Sequence, residues 1–292
     1  MIFKCLLTIL IFEKVRKMNI NNTEKPLASS AFRGVVGRAL TLIKVGGKIV
    51  ENPLTLKQLL TDFAKISGYK VLVHGGGRSA TSLAEQLGIE TQMVNGRRIT
   101  DRNMLQVVTM VYGGLVNKNI VTGLQALNVN ALGLTGADLN YMRSEKRPVK
   151  DIDYGYVGDV KEVNGQILTD LILKGITPVL APLTHDKKGN LLNTNADTIA
   201  GEAAKALAQF FDVTLIFCFE KKGVLADEND ESSVIENINP ASYEKLVEEG
   251  IISGGMIPKL ENSFDALQAG VKGVVITRAD EISNESGTKI AL

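Results

Sequence analysis

Lysines, an aspartate and paired glycines in this chain have the types and spacing that phosphoryl transfer requires. Lys44 lies inside the apolar run 42–45, where an ammonium group is costly unless an anion lies against it. Gly46 and Gly47 follow directly, and without a Cβ they allow backbone N–H groups to approach an anion closely. Phosphoryl transfer depends mainly on positioning and positive charge. The segment therefore predicts a phosphate-binding strand end, and the alternative is an edge strand whose lysine reaches solvent.

A second glycine-rich segment, residues 74–80, follows another β-branched run. At the start of a helix its amides would favour an anion. The same letters also fit the dinucleotide-binding pattern G-x-G-x-x-A and the HGGG oxyanion loop of esterases. The esterase interpretation fails because the sequence has no G-x-S-x-G elbow, and the dinucleotide one is weakened because no acidic residue ends the next strand. A purely structural glycine turn stays open.

Asp197 and Lys259 are the other candidate charges. Asn195 is predicted to cap a helix that has Asp197 in its first turn, which alone explains both residues. Beside two lysines, Asp197 gains a second role as the anion that holds them. Lys259 follows Pro258 at a predicted helix start, where the helix dipole disfavours a cation, so a bound anion or plain solvent exposure would explain it.

Arg98 is a weaker candidate. It follows the turn Asn95-Gly96, a strong type I′ hairpin signal, and its guanidinium could bind a carboxylate in a bidentate manner. Two adjacent arginines, Arg97 and Arg98, are also common as simple surface charge.

The elements that must position these residues alternate between strands and helices from Ala39 onward, which predicts an α/β sheet with helices on both faces. The predicted strands are 40–46, 70–74, 129–134, 176–181, 213–218 and 273–277. The predicted helices are 54–67, 78–87, 101–127 with Thr100 as its cap, 167–174, 195–209, 240–249 and 257–269. Hairpins are predicted at 95–96, over 150–163 and around 186–190.

Composition excludes several function classes. The chain has 292 residues and a net charge of +1, with acidic and basic residues mixed, unlike a nucleic-acid binder. Its two cysteines, Cys5 and Cys218, lack CxxC spacing, and there are only two histidines. These counts argue against a cysteine or histidine metal site and suit a reducing, cytoplasmic compartment.

Three segments are predicted. Residues 1–40 are an N-terminal extension, either a disordered arm, an oligomerising helix or in part a start-site artefact before Met18. Its apolar run 6–12 is too short to span a bilayer and has no cleavage site for a signal peptide. Residues 41–210 and 211–292 are predicted to form two lobes.

Taken together, the motifs resemble the amino acid kinase family, and most closely its acetylglutamate kinases. The resemblance spans roughly residues 41 to 292 and rests on 43–47 (Ile-Lys-Val-Gly-Gly), 73–77 (Val-His-Gly-Gly-Gly), 95–100 (Asn-Gly-Arg-Arg-Ile-Thr), 193–197 (Asn-Thr-Asn-Ala-Asp) and 255–259 (Gly-Met-Ile-Pro-Lys). It implies a three-layer α/β/α sandwich with a mainly parallel central sheet. The implied reaction is ATP-dependent phosphorylation of the γ-carboxylate of N-acetyl-L-glutamate, in arginine biosynthesis.

The resemblance also implies residue roles. Lys44 and Lys259 would neutralise the transferring group, Asp197 would orient both lysines, and Gly46, Gly47 and Gly76 would donate backbone N–H groups to the phosphate. The implied substrate-binding residues are Gly76, Gly77, Arg98 and Asn193, with Arg98 on the α-carboxylate.

The implied nucleotide-binding residues are Glu220, Lys221, Lys222, Gly223, Val224, Leu225, Ile251, Ile252 and Ser253. The Phe-Glu-Lys-Lys sequence at 219–222 departs from the Thr/Ser-Asp-Val that is common in relatives. ATP would bring Mg²⁺ with its phosphates, so neither a protein metal site nor a tightly bound cofactor is expected.

Partners implied by the resemblance are small-molecule substrates and further copies of the chain, with no membrane or nucleic acid. Helix 101–127 resembles the family's dimer helix, with Met104, Val107, Val108, Val111 and Leu115 on one face; burial of that face inside the lobe is the alternative. Three other functions stay open: N-succinyl-L-glutamate as the acceptor, a carbamate, glutamate or aspartate kinase, and a non-catalytic regulatory homologue.

Overall fold

The computed structural model describes residues 37–94, 96–282 and 286–292. By its internal contacts the chain divides into two units, Met1–Val36 and Gly37–Leu292. The expectations for the N-terminal extension fall mainly on residues 1–36, and Asn95 of the predicted turn is also outside the described residues. The predicted boundary between lobes at 210 and 211 remains a prediction.

The strand that carries Lys44 lies at the centre of the main sheet. This sheet has the order β12-β14-β13-β11-β1-β2-β8-β5, and β1 is paired in parallel with β11 and β2. Parallel strands are covered on both faces, so β1 is apolar almost throughout. In chain order the strands are β1 (Ala39–Val45), β2 (Tyr69–His74), β3 (Met93–Val94), β4 (Arg97–Arg98), β5 (Ala131–Leu134), β6 (Met142–Lys146), β7 (Gly158–Val163), β8 (Thr177–Leu180), β9 (Leu183–His185), β10 (Leu191–Asn193), β11 (Asp212–Phe219), β12 (Asn237–Ile238), β13 (Gly273–Arg278) and β14 (Thr288–Ile290).

Helices cover both faces of the sheet. In chain order they are α1 (Gly47–Glu51), α2 (Pro53–Lys65), α3 (Gly77–Gln86), α4 (Arg102–Val108), a π-helix (Thr109–Val116), α5 (Asn117–Ala126), α6 (Gly165–Leu173), α7 (Ala196–Leu207), α8 (Pro240–Glu248) and α9 (Met256–Gln268), with a 3₁₀ turn at Asp138–Asn140. One face packs Ile43 and Val45 of β1 against α2 and α5. On the opposite face α7 packs on β1, β2 and β11, with α6 and α9 beside it. The predicted three-layer sandwich with a mainly parallel sheet is confirmed.

Two smaller sheets lie outside these layers. β3 and β4 form the hairpin that presents Arg98. β10, β9, β6 and β7 form a four-stranded sheet, in which the β9–β10 hairpin turns at 186–190 as predicted. The prediction of a hairpin within 150–163 is wrong in its first arm, because β7 pairs with Met142–Lys146. The sequence of β6, Met-Arg-Ser-Glu-Lys, is mostly polar and was not predicted to form a strand.

The predicted single helix 101–127 differs from the structure in its N-cap and at its centre. Its N-cap is Asp101, whose carboxylate accepts from Met104 N at 2.7 Å, and not Thr100, which bridges to Gly155. Eight residues at its centre, Thr109–Val116, form a π-helix. Of the face proposed for a dimer contact, Met104, Val107, Val108 and Val111 are buried inside the protein, as the alternative had it, and only Leu115, within the π-helix, is exposed, at 57%.

Three short elements of the fold were absent from the sequence-based predictions. α1, β12 and β14 were not predicted because runs of two to five residues carry too little periodicity. Among the helices described, none is long and apolar enough to cross a bilayer.

Candidate active site

The carboxyl ends of the central strands bring the two predicted glycine loops together. Gly46 N, which the resemblance implied as a donor to the phosphate, donates instead to Cys218 O at 3.2 Å, and Gly75 N donates to Val45 O at 3.0 Å. β1 is the point at which the chain changes its direction of winding, with β2 on one side and β11 on the other. Ligands of open α/β sheets bind at such a switch point.

The loop amides lie in a common cradle. A Cβ built on Gly47 would lie 3.6 Å from the nitrogens of both Gly76 and Gly77. Within the described part of the chain, the N–H groups of Gly47, Gly76 and Gly77 donate to no partner. Gly76 has φ +159° and a Cβ there would lie 2.9 Å from Tyr112 Cδ1, so only glycine fits between the loop and this ring. Unpaired amides that converge in this way form a binding site for an anion.

A partly buried ion pair lies beside the amide cradle. Lys44 Nζ is 2.7 Å from Asp197 Oδ1, and the two side chains are 12% and 22% exposed. Asp197 is held at the start of α7 because Asn195 caps that helix, accepting from Asp197 N at 2.7 Å and Thr198 N at 3.2 Å. The capping and ion-pairing roles predicted for this segment are therefore present together.

Lys259 lies near the same pair, above the ring of Phe219 at 4.7 Å from its centroid. Burial lowers the pKa of Lys259 below its ordinary value, Asp197 raises it in part, and Lys44 lowers it further. Burial raises the pKa of Asp197, but attraction to Lys44 and Lys259 outweighs burial, so the pKa of this carboxyl lies below its ordinary value. The group is an anion flanked by two cations, with surplus positive charge available to a ligand.

The predicted acceptor residues share one cavity of about 190 Å³, called here the acceptor cavity. Its lining includes Gly76, Gly77, Arg98, Tyr112, Asn193 and Asn195. Arg98 is 8% exposed, and its Nη2 donates to Gly77 O at 2.7 Å and Thr81 Oγ1 at 2.8 Å. Asn193 Nδ2 donates to Thr100 Oγ1 at 2.9 Å. Arg98 is therefore an internal, fixed cation, and the surface-charge alternative does not hold.

The predicted nucleotide-binding residues do not share one cavity, unlike the predicted acceptor-binding residues. Glu220 forms an ion pair with Lys48 and lines a cavity of about 890 Å³ together with Arg78, Phe219 and Arg278. Lys222 lines a different cavity, of about 450 Å³. Gly223, Val224, Leu225 and Ile252 are buried, Val224 N donates to Thr288 Oγ1 at 2.8 Å, and Lys221 Nζ donates to Glu228 O at 3.0 Å. Ile251 is half-buried shortly after α8, and Ser253, two residues later, is exposed.

Two residues that contact the glycine loops, Glu51 and Tyr112, were not predicted from the sequence. Glu51 Oε1 accepts from Ser79 N at 2.8 Å and so ties α1 to the first turn of α3. Tyr112 packs on Gly76 from the π-helix. An acidic residue shortly after a Gly-Gly strand end was a signal for Glu51, but a tyrosine in an apolar helix gave none for Tyr112. Among the residues described, no group of three or more His, Cys, Asp and Glu side chains is arranged to hold a metal ion.

Several known proteins are similar to this chain in sequence or in fold. Residues 39–278 match the sequence profile of the Amino acid kinase family. An acetylglutamate kinase from Parabacteroides distasonis is 72% identical over 251 residues, which is 86% of this chain and 98% of that protein. The crystal structure of smu.665 from Streptococcus mutans has a TM-score of 0.71 at 30% identity, covering 86% of this chain and 98% of that one. Carbamate kinase from Giardia lamblia bound to AMP-PNP, at a TM-score of 0.60 and 16% identity with 87% and 98% covered, shares the fold.

Proposed function

The chain belongs to the amino acid kinase family, and from that premise we propose that it phosphorylates N-acetyl-L-glutamate with ATP. The γ-carboxylate oxygen attacks the γ-phosphorus, the bond from that phosphorus to the bridging oxygen breaks, and the products are ADP and N-acetyl-L-glutamyl 5-phosphate. The reaction is a step of arginine biosynthesis. The observation that carries the proposal is the meeting of the Lys44–Asp197 pair, the free amides of Gly47, Gly76 and Gly77, and the Arg98 cavity at one sheet edge.

The acceptor binds in the acceptor cavity. The Arg98 guanidinium attracts the α-carboxylate, because Arg98 is a buried cation that lines the cavity. The amide of Asn193 offers donor and acceptor atoms for the acylamide group. The γ-carboxylate then points toward the amides of Gly76 and Gly77, where the phosphoryl group arrives.

The transferring phosphoryl group lies between Lys44 and Lys259. Gly46 and Gly47 line the approach from β1, and the amide of Gly47 donates to the phosphoryl oxygens. Each fixed donor of this kind contributes about 2.7–4 kcal/mol at the transition state. Asp197 keeps the two ammonium groups charged and oriented, as its ion pair with Lys44 supports.

ATP is the phosphoryl donor, and the segments 220–225 and 251–253, called here the nucleotide segments, hold it, except that Lys222 lines a separate cavity and makes no contact with ATP. Their buried members shape the walls, and the exposed Ser253 supplies a hydroxyl at the start of the turn to α9. Mg²⁺ enters as MgATP and keeps water ligands. The enzyme acts in the cytoplasm and uses no tightly bound cofactor.

A homodimer is the assembly we propose. Met110 and Leu115 project from the helix at 52% and 57% exposure, and an unpaired apolar pair on a long helix suits a contact with a second copy. Light scattering should give twice the chain mass, and Leu115→Glu should shift it to the monomer.

The test of function is ATP-dependent acyl-phosphate formation, trapped with hydroxylamine. N-acetyl-L-glutamate should give hydroxamate at a higher kcat/KM than N-succinyl-L-glutamate or free L-glutamate. The matched blank is Lys44→Met, which keeps the aliphatic stem and removes the charge. Preference for another acceptor would replace the substrate, and no hydroxamate from any acceptor would remove the proposed activity.

A further inference from the structure

His74 ends β2 directly beneath the glycine loop and has no role in the reaction described above. It is fully buried and makes two contacts with its ring nitrogens. Nδ1 is 2.7 Å from Gly75 O, and Nε2 is 3.1 Å from Asn117 Nδ2. Burial lowers the pKa of His74 to about 4, a backbone bond to Gly75 raises it in part and Lys118 lowers it further, so the imidazole is neutral near pH 7.

The neighbours of Asn117 identify which ring nitrogen carries the proton. Asn117 Nδ2 lies 3.0 Å from Val179 O, which can only accept, and Asn117 Oδ1 lies 3.1 Å from Lys118 Nζ, which can only donate. Both contacts require the NH₂ group of Asn117 to face His74. Nε2 must then accept a hydrogen bond, and the proton of the neutral ring must be on Nδ1. His74 therefore donates to Gly75 O.

The space for the Asn117 side chain is provided by a glycine in strand β5. A Cβ on Gly133 of β5 would lie 1.7 Å from Asn117 Oδ1, so the amide fits only against glycine. Asn117 is also the first residue after the π-helix that brings Tyr112 onto Gly76. The π-helix and α5, which follow each other without a break, therefore support the glycine loop at two points: directly through Tyr112 and, by way of His74, through Asn117.

A bond to Gly75 O has a consequence for the next amide. The structure has no cis peptide bond among its described residues, so C=O of Gly75 and N–H of Gly76 point in opposite directions. Holding the carbonyl toward His74 turns the Gly76 N–H away from the ring and into the cradle beside Gly47, where it has no described partner. Gly76, with no Cβ, cannot fix its own peptide orientation by packing.

We propose that His74 is a positioning residue: as a neutral Nδ1–H imidazole oriented by Asn117, it aims the Gly76 amide at the transferring phosphoryl group. The inference rests on the proposed function for its kinetic consequence. The hydrogen-bond network itself does not depend on that function. His74 exchanges no proton with substrate and acts through the peptide unit between Gly75 and Gly76.

The first test is the tautomer. The sequence has two histidines, so 15N-histidine labelling gives two rings, and the variant His185→Gln assigns them. His74 should show a protonated Nδ1, an unprotonated Nε2 and no titration across about pH 6 to 8. A protonated Nε2, or a ring that titrates in that range, would overturn the proposal whether or not the protein is a kinase.

The second test separates donor geometry from packing. The amide nitrogen of His74→Asn falls close to the position of Nδ1 and restores the donor to Gly75 O, whereas that of His74→Gln reaches toward Nε2 and does not. His74→Gln should lower kcat about 10-fold or more with little change in KM for ATP, and His74→Asn should stay within about threefold of wild type. Equal kcat losses in both variants, following their losses in Tm, would make His74 a packing residue only.

Failure of the proposed function has a different signature. A wild-type protein that gives no acyl phosphate with any acceptor removes the kinetic comparison but leaves the tautomer result standing. An active wild type with the wrong tautomer removes the role of His74 alone.

Discussion

Arg98, on the proposed acceptor side, is 8% exposed and already hydrogen-bonded to Gly77 O and Thr81 Oγ1. Glu220, on the proposed nucleotide side, has a side chain that is 44% exposed and that pairs with Lys48, whose side chain is 46% exposed. In the acceptor cavity the side chains of Arg98 and Asn193 are held by internal hydrogen bonds in the absence of ligand. The nucleotide segments combine buried walls with an open rim. A small acid gains affinity from a preorganised site, while a large nucleotide gains it from area and has to enter and leave through an open face. Lys44 and Lys259 lie between the two sides, and we propose that they act on the reacting group.

The largest effect should come from the residues between the two sides. Lys44→Met and Lys259→Met should each lower kcat by about 100-fold or more, because each removes a cation from the transferring group. ATP binding should persist in both, as isothermal titration would show. Exposed Lys65→Met is the matched control, and wild-type turnover in Lys44→Met would refute the assignment.

The same pair of variants should differ in stability. Lys44→Met leaves Asp197 without its 2.7 Å partner, whereas Lys259 makes no ion pair within 4.0 Å with a described residue. Thermal unfolding should therefore show a larger loss for Lys44→Met, by about 1–3 kcal/mol in the free energy of unfolding. A larger loss for Lys259→Met would mean that Asp197 depends on Lys259 instead.

The next effect tests the acceptor side. Arg98→Ala should raise KM for the acyl-glutamate about 10-fold or more and leave KM for ATP nearly unchanged, because a buried charge-assisted contact is lost on one side only. Arg98→Lys keeps the charge but not the planar fork and should recover little. A parallel rise in KM for ATP would mean that the two sides are coupled.

A smaller effect concerns pH. Lys259 must be protonated to neutralise the phosphoryl group, and its pKa lies below the ordinary 10.5, so kcat should fall on the alkaline side at a lower pH than an exposed lysine would give. Between the lowered and the ordinary pKa the unfolded chain binds more protons at this group, so its contribution to the free energy of unfolding rises with pH. A kcat profile of Lys259→Arg, which stays charged, should lose that limb; an unchanged limb would assign it to another group.

The smallest effect tests the extent of the nucleotide side. Lys222 lines the separate cavity of about 450 Å³ with Lys289 and Glu281, away from the Glu220 cavity. We therefore expect Lys222→Ala to change KM for ATP by less than about twofold, as for an ordinary surface substitution. A larger rise would restore Lys222 to the nucleotide site.

The sequence by itself determined the chemistry and its local setting. A lysine in an apolar strand, glycines at two strand ends and an asparagine cap ahead of Asp197 follow from local rules of burial, backbone freedom and helix ends, and all three are found in the fold. The three-layer arrangement also followed, because alternating strands and helices leave few ways to bury both faces of a sheet.

Tertiary structure alone decided how distant segments meet. The Lys44–Asp197 pair joins residues on separate elements, and Arg98 is buried against Thr81 and Gly77 of α3. The proton position on His74 depends on Asn117, Val179 and Lys118. The π-helix Thr109–Val116, within which Leu115 is exposed, gave no periodic signal in the sequence. Local sequence sets what each segment can do, but orientation of a peptide or a ring is fixed by the atoms that surround it in the folded chain.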